Sequence, residues 1–170
     1  ALEEATATNG VPVPALVAAF RKAMEAPDFA QYLHWGATSQ DIMDTALALR
    51  LQRVMDLWDG RLAALIAALA DLAERHADQM MAARTYGQAA TPTTFGAVVA
   101  GWGWPLLRHR ERLAELRAGL CVSLSGAAGT LSAMEGQGRE VRAALATALD
   151  LRDPQRSWHS DRSAMLDFAS

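Results

Sequence analysis

Apolar residues recur every three or four positions along the middle of the chain: Leu47, Leu51, Val54, Trp58, Leu62, Leu65, Leu69 and Leu72. That spacing puts them on one side of an α-helix. Ile42, Ala46, Leu49, Ile66, Ala70 and Ala73 form a second stripe on another side. Between Ala37 and Tyr86 the only glycine or proline is Gly60, so almost nothing breaks the pattern. Thr38-Ser39-Gln40-Asp41 opens it as a capping box, in which Thr38 accepts from the Asp41 amide and Asp41 reaches back. The stretch predicts one helix from Ser39 to about Ala77, roughly 60 Å long. A compact domain of this size has a radius of gyration of only about 15–16 Å. Such a helix outreaches its own chain, and its two apolar stripes imply partner helices from other subunits.

Shorter elements are predicted around it. Val13 to Ala26 reads as a helix that ends near Pro27. Residues 83–91 read as a polar connection. A further helix is expected from Pro92, capped by Thr91, to about Leu120, with a kink at Pro105. Ser123 to Gly129 is small and glycine-containing, which suits a break or a tight crossing. Gln137 to Leu149 is helical, Asp150 to Ser157 a loop, and a last helix begins near His159. No period-2 strand pattern stands out, so the fold class is all-α.

Composition narrows the function classes. The 170 residues are 51% hydrophobic with few aromatics, so alanine and leucine fill the apolar positions, as close-packed helices require. A net charge of −3 without a basic stripe argues against nucleic acid as partner. No apolar run reaches transmembrane length, which argues against a membrane partner. Cys121 is the single cysteine, which excludes an internal disulfide and suits a reducing, cytoplasmic setting. No metal site is expected, because the four histidines lack an i, i+4 partner of the needed kind and there is no thiolate cluster.

Three polar segments interrupt the apolar chain at helix ends. His34-Trp35-Gly36-Ala37-Thr38-Ser39-Gln40-Asp41 places hydroxyls and free amides at a helix N-terminus, where a carboxylate is favoured; a plain helix cap is the simpler reading. Arg84-Thr85-Tyr86-Gly87-Gln88 and its continuation to Thr94 gather a guanidinium, a phenol, an amide and hydroxyls between two long helices. Arg84 could clamp a carboxylate bidentately, or the segment is a solvated loop. Trp158-His159-Ser160-Asp161-Arg162 offers a histidine as proton carrier, or an exposed structural one.

In this order and spacing the three segments resemble the fumarase/aspartase superfamily. His34 to Asp41, followed by Asp44-Thr45-Ala46, is similar to its first signature block, and Arg84 to Gln88 through Pro92-Thr93-Thr94-Phe95-Gly96 to its second. The resemblance implies a long-helix bundle, a homotetramer, and active sites that draw on three subunits. Tyr86 stands where fumarases and adenylosuccinate lyases usually carry a histidine. With the Gly126 to Leu131 and Trp158 to Arg162 segments, it points to the carboxymuconate cycloisomerase branch. That branch implies lactonisation of a small tricarboxylate without a cofactor. By the same resemblance, Thr38 and Ser39 would bind one substrate carboxylate, and Arg84, Thr85 and Gln88 the other carboxylate side. His159 and Tyr86 would be the catalytic pair, and His34 would support the first loop or touch substrate.

The resemblance also divides the chain, with residues 1–36 ending an N-terminal domain and residues 37–170 forming a central long-helix domain. The superfamily's mobile serine loop would follow the last helix, and no Ser-Ser-x-Met-Pro segment occurs. The expectation is a part of a larger chain that lacks this loop and the C-terminal domain and is inactive alone. Two alternatives stay open. One is an adenylosuccinate-lyase-like eliminase that releases fumarate, against which Tyr86 and Trp158-His159 speak; the other is a helical oligomerisation module whose polar loops are only caps.

Overall fold

The computed structural model describes residues 2–169. In chain order the elements are α1 (Leu2–Asn9), α2 (Val13–Ala23), α3 (Pro27–Ala30), α4 (Ser39–Arg75), β1 (Met80–Thr85), β2 (Gln88–Thr94), α5 (Phe95–Gly119), a 3-10 turn (Ser132–Met134), α6 (Gly138–Ala148) and α7 (Ser163–Ala169). The fold is mostly helical, as expected, and α4 is one helix of 37 residues. Two compact units form, residues 2–52 with 118–169 and residues 53–117.

In the first unit the core gathers Val13, Ala48, Leu120, Val122, Leu124, Met134, Ala146 and Trp158. Burying each larger side chain contributes about 1.5–3 kcal/mol. Leu120 to Ser125 runs extended through this core, so its backbone needs partners that a helix would have supplied internally. It finds several of them at once. Val122 N–H donates to Arg152 O at 3.0 Å and Arg152 N–H to Leu120 O at 2.9 Å. The Thr45 hydroxyl on α4 accepts from Ser123 N–H and donates to Ser123 O. The Trp158 indole N–H donates to Val122 O at 2.8 Å. The buried Arg142 of α6 is neutralised by Asp153 at 2.6 Å.

In the second unit the rest of α4 and α5 are joined by Arg110 to Asp59 and Arg117 to Asp56, both at 2.6 Å. These exposed pairs contribute under about 1 kcal/mol each. Tighter contact occurs where α5 begins. A Cβ on Gly96 would fall 2.4 Å from Ala73 O, 2.8 Å from Ala77 Cα and 2.9 Å from His76 O. All three are backbone atoms that cannot swing aside. Gly96→Ala is therefore expected to cost about 2–3 kcal/mol, read as a lowered denaturant midpoint at unchanged slope.

The largest departure from the sequence expectation is at residues 80–94. Instead of a connection followed by a helix from Pro92, β1 and β2 form an antiparallel hairpin, pairing Met80 with Thr94 and Thr85 with Gln88. Its two-residue loop is Tyr86-Gly87, with φ of 45° and 76°. Positive φ at both positions is the mark of the type I′ turn that matches strand twist. Both strands are mostly exposed on both faces, so no apolar alternation exists to betray them. Pro92 sits next to a register shift, where a strand tolerates a missing N–H. The helix starts three residues later than expected, at Phe95, where the Thr94 hydroxyl caps Ala97 N–H.

Smaller differences follow the same logic. α2 ends at Ala23 rather than Ala26, and α5 continues through Pro105. α7 begins at Ser163, not near His159, because residues 158–162 spend their side chains on tertiary partners. On α4 the buried positions are Asp41, Asp44, Ala48 and Met55, whereas Leu47, Val54, Trp58 and Leu65 of the first apolar stripe stand exposed.

Candidate active site

The first unit assembles its polar centre on two acids one turn apart at the start of α4. Asp41 and Asp44 lie on the same helix face as Ala48, which points them into the core. A buried carboxylate must be paired or fully hydrogen-bonded, and both are. Asp41 Oδ2 accepts from Thr38 N–H and Gly126 N–H at 3.0 Å each. Its Oδ1 lies 2.9 Å from the Ser123 hydroxyl, 3.0 Å from Ser125 N and 2.8 Å from His159 Nε2. One side chain thus ties together the helix-entry loop, the 123–126 segment and the 158–162 segment. Burial alone would raise the Asp41 pKa, but the hydrogen bonds from Thr38, Gly126, His159 and Ser123 outweigh it and hold the carboxyl below its ordinary value.

Asp44 is held differently. Arg162 grips it with two bonds of 2.7 and 2.9 Å, and the Gln40 amide adds a third at 2.8 Å. The guanidinium also lies 4.9 Å from the Trp158 ring centroid. The hydrogen bond to Asp44 raises the Arg162 pKa. Arg162→Met strands a buried carboxylate on a single amide. The expected loss is about 2–3 kcal/mol, less than for a fully buried pair because Arg162 keeps 33% of its surface. A chemical denaturation curve of the variant measures it.

The backbone around this centre is tight. Gly126 has φ of 74°, and a Cβ there would lie 2.9 Å from Gly36 O, so the His34-Trp35-Gly36 turn passes directly against the 123–126 segment. His34 itself has φ of 68°, and its Nε2 is buried with no hydrogen-bond partner among the described residues. The Ser125 hydroxyl is a second buried polar group without a partner among the described residues. Orphaned polar atoms and a non-glycine residue at positive φ are costly features that collect at functional sites.

The sequence-predicted residues fall into two groups. His34, Thr38, Ser39 and His159 all lie in the first unit, where Thr38 and His159 bond Asp41 and the Asp41 arm of the expected capping box is in place at 3.0 Å. Arg84, Thr85, Tyr86 and Gln88 form the tip of the hairpin in the second unit. There Tyr86 is fully exposed at positive φ, a conformation that costs an aromatic residue about 1–2 kcal/mol. Arg84 is exposed, and no hydrogen bond or ion pair holds its guanidinium among the described residues. Sequence reasoning gave Asp41 only a cap's role and assigned none to Asp44, Ser123, Ser125 or Arg162. The available signal was an acid pair at i, i+3 on a face that continues with alanine.

Among the described residues no group of three or more His, Cys, Asp or Glu side chains could hold a metal, and no helix is long and apolar enough to cross a membrane.

The lyase family profile matches residues 3–169 of the chain. A 3-carboxy-cis,cis-muconate cycloisomerase of Pseudomonas aeruginosa is 47% identical over 173 aligned residues, covering 100% of this chain and 38% of that protein. Among solved structures, a fumarate lyase from a Mesorhizobium strain superposes with a TM-score of 0.90 at 41% identity, over 98% of this chain and 39% of that one. The 3-carboxy-cis,cis-muconate lactonizing enzyme of Pseudomonas putida superposes with a TM-score of 0.89 at 42% identity, over 99% and 39%. The chain thus spans about two fifths of the length of these relatives. With the motif blocks, the long helix and the profile in agreement, the chain belongs to the lyase family, within the fumarase/aspartase superfamily.

Proposed function

We propose that the chain is the central part of a 3-carboxy-cis,cis-muconate cycloisomerase, which closes its substrate to 4-carboxymuconolactone in the protocatechuate (β-ketoadipate) route of aromatic breakdown. The observation that carries this reading is the likeness along the whole chain to an enzyme of that name. The boundary near residue 36, between an N-terminal and a long-helix domain, is proposed with it.

The chemistry needs only a proton and a C–O bond. A substrate carboxylate oxygen bonds to one alkene carbon, and the neighbouring carbon takes a proton. Three carboxylates on one small molecule demand matched donors, since buried charge must be paired. Thr38 and Ser39, at the positive end of the α4 dipole, bind one carboxylate. Arg84, Thr85 and Gln88 bind the other carboxylate side, and the unengaged Arg84 fork suits that task. His159 supplies the titratable group. Tyr86 shapes the pocket or donates its phenol hydrogen bond, because a neutral phenol is a poor acid at pH 7. His34 supports the entry loop.

We also propose a homotetramer built through the long helices. Val54, Leu57, Trp58 and Leu65 on α4 and Trp102, Trp104 and Leu107 on α5 are exposed on the second unit. That much apolar surface suits subunit contact rather than water. The free, buried Cys121 suits a cytoplasmic setting.

The deciding experiment is a lactonisation assay on the intact enzyme, with fumarate-releasing substrates alongside. Conversion of the muconate alone is the expected result. Release of fumarate with the muconate untouched would move the enzyme to the eliminase branch.

A further inference from the structure

The donors around Asp41 determine where the hydrogen of His159 sits. Three of them are the backbone N–H groups of Thr38, Ser125 and Gly126, which can only donate. They occupy both oxygens: Oδ1 takes Ser125, and Oδ2 takes Thr38 and Gly126. The Ser123 hydroxyl adds a further donor to Oδ1. A proton on either oxygen would have to point past a backbone amide, so the carboxylate is ionised and accepts only. His159 Nε2, 2.8 Å from Oδ1, must then carry the hydrogen of that contact. The ring's other nitrogen, Nδ1, has no hydrogen-bond partner among the described residues, and it is not among the buried polar atoms left without one. The His159 side chain keeps 21% of its surface, against 1% for Asp41.

We propose that Asp41 is a positioning residue which, through Nε2–H, fixes the His159 ring with Nδ1 outward, making Nδ1 the nitrogen that meets the substrate. This deepens the cycloisomerase reading and rests on it for the identity of that substrate. A neutral ring presents the Nδ1 lone pair. A ring that has taken a proton from solvent presents Nδ1–H. In the addition the carboxylate oxygen bonds to one alkene carbon, the π electron pair moves to its neighbour, and that carbon takes the Nδ1 proton. The neutral ring then recovers a proton from water. Asp41 keeps its charge throughout, because its donors leave no place for a proton.

Neutron diffraction from deuterium-exchanged crystals of the intact enzyme at alkaline pH locates the hydrogen directly. The expected result is deuterium on Nε2, none on Nδ1 and none on Asp41. Deuterium on Nδ1 with a bare Nε2, or on the Asp41 carboxyl, overturns the proposal. Kinetics supply the second arm. Asp41→Asn permits the wrong tautomer and is expected to lower kcat by about 10²–10⁴-fold with KM changed less than about threefold. A folded D41N enzyme with the parent kcat overturns the proposal. If D41N does not fold, His159→Gln takes its place with the same expected loss, and full turnover by H159Q overturns the proposal equally. The neutron result does not depend on the substrate. Deuterium on Nε2 in an enzyme that leaves the muconate untouched supports the ring assignment and removes the cycloisomerase reading. Lactonisation with deuterium on Nδ1 removes the ring assignment alone.

Discussion

Asp41→Ala is expected to destabilise the intact enzyme by about 3–5 kcal/mol, a large share of the total stability of a typical protein. The estimate follows from what the substitution orphans. Ser123 Oγ–H, Ser125 N–H and Gly126 N–H are buried donors that share this acceptor. Each unsatisfied group costs about 1–3 kcal/mol, and entry of water into the vacated space offsets part of the sum. A urea or guanidinium titration, compared at the same slope, gives the value. A loss below about 1 kcal/mol would mean that the three segments do not depend on this carboxylate. The acid limb of the stability curve follows with its sign determined. Because the folded Asp41 pKa lies below the ordinary 3.8, the stabilisation is fully present above that value. It is lost as pH falls through the lower folded value, so parent and D41A curves should converge in that acid window.

The second large effect is catalytic. Arg84→Ala in the intact enzyme is expected to lower kcat/KM by roughly 30- to 4,000-fold, the equivalent of about 2–5 kcal/mol for removing one partner of a buried charge pair. Folding and assembly should be untouched, because Arg84 is exposed near a hairpin tip and holds no other residue among those described. Arg84→Lys keeps the charge but loses the planar fork, and an intermediate loss is expected. The paired readouts are the lactonisation rate and the size of the assembly by gel filtration. Unchanged turnover in a correctly assembled R84A enzyme would remove Arg84 from substrate binding and favour a hairpin that only connects helices.

Some of this protein was legible from spacing alone. α4 was readable because a period near 3.6 over more than thirty residues, opened by a cap and free of breakers, leaves the backbone few alternatives. The polar segments were visible because hydroxyls, an arginine and histidines interrupt apolar surroundings at helix ends. Their chemistry was less visible. Asp41 reads as a capping residue because its Thr38 contact is local, whereas its other four partners lie more than eighty residues away. Nothing in a local pattern reports such contacts.

The hairpin marks the same boundary from the other side. Met80 to Thr94 carries no apolar alternation, since neither face of the ribbon is buried in its unit. What makes it a hairpin is the Tyr86-Gly87 turn and the pairing that the turn closes. The sequence by itself therefore determined the long helix, the order of the polar blocks and the lyase family, because each is written in local periodicity or in contiguous residues. Only the tertiary structure decided that Asp41 gathers two distant segments onto its own helix-entry loop, that Arg162 neutralises Asp44, and that Nε2 is the His159 nitrogen facing Asp41. Those outcomes follow from burial: once two carboxylates enter a core, every donor within reach is drawn to them, whatever its distance along the chain.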